Sequence, residues 1–85
     1  MRQFSYTIQG EHGLHARGAG MLVEQAKGFM SNISIEYDEK IENLKRLFSV
    51  TGLGVRKGDV VTVKTNGNDE IEAAHRLEEF FKENL

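Results

Sequence analysis

The stretch Gly13-Leu14-His15-Ala16-Arg17-Gly18-Ala19-Gly20 holds an imidazole, a guanidinium and three glycines within eight residues. Ala19, Leu22, Val23, Ala26 and Met30 follow at helical spacing, so His15 falls at or beside the N-cap of a helix. Ser, Thr, Asp and Asn are the usual N-caps, because their oxygens accept the free backbone N–H groups. Histidine is a poor substitute. Gly18 and Gly20 then occupy the first turns, where each costs about 1 kcal/mol relative to alanine. Local rules broken together without a structural gain point to a site. The chemistry on offer is anion binding. A helix N-terminus presents unpaired N–H donors and partial positive charge, and Arg17 adds a bidentate partner for phosphate oxygens. A neutral imidazole there is a nucleophile. A phosphoryl group accepted by His15 would sit against the amides of Ala16, Arg17 and Gly18, and phosphoryl transfer asks little beyond positioning and charge stabilisation. A loop histidine beside a solvated arginine fits the same residues.

The flanking elements must position that segment. Phe4, Tyr6 and Ile8 alternate with polar residues as a half-buried strand, and Gly10-Glu11-His12-Gly13 breaks it as a turn. Gly28 ends the first helix. Ile33, Ile35 and Tyr37 make a second strand, and Ile41 lies on its hairpin return after Asp38-Glu39-Lys40. Leu44, Leu47, Phe48 and Thr51 predict a short helix stopped by Gly52 and Gly54. Gly58-Asp59 opens a fourth strand with Val61 and Val63 on one face. The last helix carries Ile71, Ala74, Leu77, Phe80, Phe81 and Leu85 as its stripe, with Asp69, Glu70 and Glu72 suiting its positive end. The order β-α-β-β-α-β-α predicts an α+β fold. Its form is an open-faced two-layer sandwich: a four-stranded antiparallel sheet with three helices on one face.

Composition narrows the classes. Eighty-five residues make one domain, residues 1–85, resting on a single apolar core. There is no cysteine, so thiol chemistry, disulfides and cysteine-ligated metals are excluded. There is no proline either, where ordinary usage would give about four. The net charge of −2 and the lack of an aromatic-basic sheet motif argue against nucleic-acid binding. No run approaches a membrane span, and the start lacks the apolar core of a signal peptide, so a cytoplasmic protein is expected. His12 and His15 lack a third ligand nearby, so no metal site is expected, and nothing implies a cofactor.

Gly13-Leu14-His15-Ala16-Arg17 resembles the active-site signature of HPr, the histidine-containing phosphocarrier family of the sugar phosphotransferase system. The resemblance runs the whole length, through Ala26-Lys27-Gly28-Phe29, Asn43-Leu44-Lys45, Leu47-Phe48, Leu53-Gly54-Val55 and Lys57-Gly58-Asp59. It implies the same open-faced sandwich. It further implies that His15 takes a phosphoryl group from phosphorylated enzyme I and gives it to enzyme II components of the A type. Such a carrier is a transfer intermediate rather than a self-sufficient enzyme, and a monomer is expected. Arg17 would steady the phosphoryl group. Leu47 and Phe48 would form the apolar centre of a docking face with Gly20, Lys27, Arg46, Ser49 and Thr51 around it. For Phe48, helical spacing alone fits core packing equally well.

The chain departs from the family in three places. Proline usually follows the signature arginine; here it is Gly18, and Gly18→Pro is expected to stabilise the fold. Arg46 stands where many members carry a serine phosphorylated by a regulatory kinase, which implies that this control is absent. His12 replaces a small polar residue and is expected to be a hydrogen-bonding or electrostatic neighbour of His15. Gly18 and Arg46 keep open a regulatory paralogue whose phosphorylation state is read by targets outside transport.

Overall fold

Alternating side chains and helical stripes fold as the sequence predicts. The computed structural model describes Met1–Leu85. The elements are β1 (Arg2–Thr7), α1 (Ala16–Lys27), β2 (Asn32–Tyr37), β3 (Lys40–Asn43), α2 (Leu47–Thr51), β4 (Val60–Asn66) and α3 (Glu70–Asn84). The strands form one antiparallel sheet in the order β1-β4-β2-β3. In register, Phe4, Val63 and Ile35 lie in one row facing the helices. The next row, Ser5, Thr62, Glu36 and Ile41, lies on the open face, where the hydroxyls of Ser5 and Thr62 are 2.9 Å apart. One apolar and one polar face is what an antiparallel sheet covered on one side requires.

α3 packs across β1 and β4, and α1 packs on α3 and α2. Fully buried Phe81 meets Phe4 edge-on at 5.7 Å and Tyr6 at 5.4 Å. Aromatic pairs of this kind add about 0.5–1.5 kcal/mol beyond burial. No helix is long and apolar enough to cross a membrane.

Three details differ from the sequence pattern. The buried stripe of α3 runs through Ala73, Leu77, Phe80 and Phe81, with Leu85 beyond it, while Ile71 is 62% exposed. The sheet selects that face, and Ile71, six residues before Leu77, falls roughly 120° around the helix from it. Met30 lies past the end of α1 and is 86% exposed. Leu44 is fully buried but precedes α2, in the turn leaving β3. The β2–β3 turn, which lacks the Asn-Gly signal, is nevertheless left-handed at both Asp38 and Glu39 (φ 50° and 68°). That is the backbone a two-residue hairpin needs to match the twist of its strands.

Candidate functional site

The segment before His15 is held at its two sides by parts of the chain distant in sequence. Gln9 and Gly10 donate their N–H groups to the Leu85 carbonyl at 2.8 and 2.9 Å. Leu14, itself buried, donates to the Val55 carbonyl at 3.1 Å. Gly13 lies between them at φ 62°, and a Cβ there would come within 2.4 Å of the Val55 oxygen and 2.8 Å of Arg56 Cα. Only glycine permits both that backbone and that approach. The 55–59 segment is braced in turn by Asp59. Its carboxylate accepts the Arg56 N–H at 2.8 Å and the Tyr37 hydroxyl at 2.7 Å. The Arg56 amide and the Tyr37 bond hold Asp59 below the ordinary carboxylate value, and the Asp59 bond pushes the Tyr37 phenol up.

This bracing presents His15 as the N-cap of α1, extended at φ −76° and ψ 169°. Its Nδ1 accepts the Gly18 N–H at 3.2 Å, and its carbonyl accepts the Ala19 N–H at 2.8 Å. The amides of Ala16 and Arg17 find no acceptor within the protein. No acidic residue occupies the first turn. Arg17 is exposed and makes no ion pair, so its guanidinium is free. His15, Arg17, Gly18, Met21 and Asn84 line a shallow depression of ≈ 210 Å³.

The sequence pointed to His15, Ala16, Arg17 and Gly18, and they stand together here. Met21 and Asn84 were not among the residues it singled out. Met21 lies one turn beyond Arg17 on the exposed side and carried a weak signal; Asn84 arrives through the tertiary fold and carried none. The His12 ring meets the His15 ring edge to face at 6.0 Å without a hydrogen bond between them. The expected gain from Gly18→Pro loses its basis. Proline would delete the bonded N–H, and a Cβ at residue 18 already lies 2.9 Å from Leu85 Cδ2.

Most of the residues expected around the docking face are exposed to some degree. Phe48 is 88% exposed, so core packing is not its role, and Leu47 before it is exposed as well. Met21 adds apolar surface on α1, which packs directly on α2. Gly20, Ser49 and Thr51 are partly buried. The Thr51 hydroxyl turns back to the carbonyls of Leu47 and Phe48 at 3.1 and 3.3 Å. Lys27 is exposed with Glu24 at 3.5 Å. Arg46 is the N-cap of α2 and supplies no capping side-chain bond. A larger concavity of ≈ 370 Å³ opens on the far sheet face, but both of its lysines are engaged. Lys64 pairs with Glu36 at 2.5 Å, and Lys45 donates to the Phe29 carbonyl at 2.7 Å.

A family model described as the PTS HPr component phosphorylation site matches residues 2–83. The chain belongs to the HPr family. Among solved structures, HPr from Thermoanaerobacter tengcongensis is 36% identical at a TM-score of 0.92, covering 96% of this chain and 92% of that one. The phosphocarrier protein HPr from Bacillus anthracis is 31% identical at 0.88, covering 94% and 95%. Crh, a catabolite-repression HPr of Bacillus subtilis solved as a swapped dimer, is 33% identical at 0.78, covering 100% and 98%. HPr proteins and a regulatory relative thus share this fold at similar identity.

Proposed function

We propose that this HPr-family protein carries a phosphoryl group on His15, accepting it from phosphorylated enzyme I and delivering it to enzyme II components of the A type. The observation that carries this reading is the open N-terminus of α1. An exposed imidazole caps it, two amides lack acceptors, and an unpaired arginine stands alongside. In the forward step the Nδ1 lone pair attacks phosphorus, the bond from phosphorus to the donor breaks, and its electron pair leaves with the donor. The new anion is met by the Ala16 and Arg17 amides, which the helix start fixes beforehand, and by the Arg17 guanidinium, whose unpaired side chain is free to reach it. Reversal onto the next partner uses the same contacts, so the group is held without being trapped.

Both partners must approach one exposed histidine, and the exposed apolar patch of Leu47 and Phe48 on α2, which packs on α1, is the anchor. Gly20, Lys27, Arg46, Ser49 and Thr51 make its rim. Phe48→Ala should weaken binding to either partner by about 2 kcal/mol, or roughly thirtyfold in Kd, with the melting temperature unchanged. Titration calorimetry against enzyme I reads this directly. A monomer suits a carrier that docks with successive partners in the cytoplasm; sedimentation would reveal a dimer.

The regulatory reading is favoured by one observation, the identity to Crh, which at 33% lies between those to the HPr proteins at 36% and 31%. Labelling with phosphoenolpyruvate and enzyme I tests the carrier step. Onward transfer to an enzyme II domain supports transport, and label that stays on His15 supports regulation.

A further inference from the structure

Gly18 is where the chain leaves the usual signature, and it makes a contact that proline cannot. Its N–H donates to His15 Nδ1 at 3.2 Å. A neutral imidazole carries one proton, and a nitrogen that accepts an N–H bond is not the one carrying it. We infer that the Gly18 amide is a positioning group for phosphoryl transfer. It holds His15 in the Nε2–H tautomer, keeps the Nδ1 lone pair turned toward the start of α1, and passes from Nδ1 to a phosphoryl oxygen when the P–N bond forms. The inference rests on His15 being the phosphoryl acceptor.

The order of events follows from the bond itself. One lone pair both accepts the Gly18 N–H and attacks phosphorus, so forming the P–N bond breaks the N–H···N contact. Phosphorus gains its bond to Nδ1 and loses the bond to the donor, whose atom keeps the bonding pair. The proton on Nε2 stays where it is. Gly18 is buried, and a buried amide left without an acceptor is costly. The acceptors delivered at that moment are the phosphoryl oxygens, and a bond to an anionic oxygen is stronger than the neutral one given up. The exchange therefore favours the loaded state. Crowding keeps the amide in place. A Cβ on Gly18 would lie 3.4 Å from His15 Cε1 and Nε2 and 2.9 Å from Leu85 Cδ2, so ring and C-terminal side chain close around it.

Nitrogen-15 spectra of the unphosphorylated imidazole test this in the full chain at a pH where the ring is neutral. The wild type should show the Nε2–H tautomer in large excess. Gly18→Ala, which keeps the N–H, should match it. Gly18→Pro should lower the ratio about two- to twelvefold, the range one net hydrogen bond supports. An unchanged ratio in a folded Gly18→Pro protein, or a wild type with the proton on Nδ1, overturns the inference. If Gly18→Pro fails to fold, the Gly18 amide resonance decides. In a His12→Gln background, where the neighbouring ring no longer titrates, it should move with protonation of His15; a fixed resonance overturns the proposal. Failure of the carrier reading looks different: no label arrives from enzyme I, whatever the tautomer.

Discussion

The two long helices of this protein begin in opposite ways. α3 starts at Asp69, whose carboxylate is fully occupied. It accepts the Met30 and Ser31 N–H groups at 2.9 Å each and the Ser31 hydroxyl at 2.5 Å. Glu70 follows, accepting the Gly67 N–H at 3.2 Å and pairing with the N-terminal ammonium at 2.7 Å. Acid meets the positive end of the helix and also ties it to the neighbouring loop. α1 starts at His15 with no acid in its turn, an unpaired arginine and two amides without acceptors. The Ile71 and Glu72 amides of α3 lack acceptors as those of Ala16 and Arg17 do, but acid surrounds the start of α3 and an exposed arginine stands at that of α1. Side-chain charge in the first turn distinguishes them.

The largest effect should come from the support of the open start. Gly13→Ala forces a side chain into a left-handed backbone against the Val55 carbonyl. It should cost about 2–3 kcal/mol by chemical denaturation, and phosphoryl acceptance should fall with it as His15 loses its brace. An unchanged unfolding midpoint would mean that the loop relaxes freely and that Gly13 does not set the site.

The acidic start of α3 should respond to pH. Hydrogen bonds from Ser31 and then Met30 hold the Asp69 carboxyl below the ordinary aspartate value. Its contribution is therefore complete above about pH 4 and is lost as the pH falls through the lower folded value. Asp69→Asn should lower the melting temperature at neutral pH and flatten its acid limb. The residual slope would come from Asp59 and Glu70, which are shifted the same way. Label on His15 should be unaffected, since Asp69 belongs to the other helix start.

The smallest effect concerns α2, whose N-cap Arg46 supplies no acceptor and brings positive charge to a positive helix end. Arg46→Ser should add about 0.5–1 kcal/mol to stability. Scanning calorimetry checks it, and a loss would show that the arginine has another contact.

These contrasts show which parts of the molecule a sequence exposes. Elements written in local periodicity were legible: the alternation of Phe4 and Tyr6, the α1 stripe, and the break of rules around His15. The HPr resemblance began at that same local signature and ran through matching stretches along the whole chain. What escaped depends on residues that meet only in the folded chain. Ala73 rather than Ala74 is buried because the sheet picks the face of α3. Asp69 resembled a simple helix-end acid, yet its partners Met30 and Ser31 are far away in sequence. Gly13 looked like any turn glycine until Val55 was found against it. The zero in the proline count reads differently as well. Gly18 suggested a position that proline would stabilise, whereas its N–H is bonded to the imidazole.

The central claim is that the open start of α1 is a phosphoryl site on His15. Incubating the protein with enzyme I and phosphoenolpyruvate, then measuring acid-labile phosphate, tests it directly. The account predicts stoichiometric label on the wild type and none on His15→Ala, with both proteins folded. A folded wild type that takes no label, or a His15→Ala protein that takes as much, would contradict it.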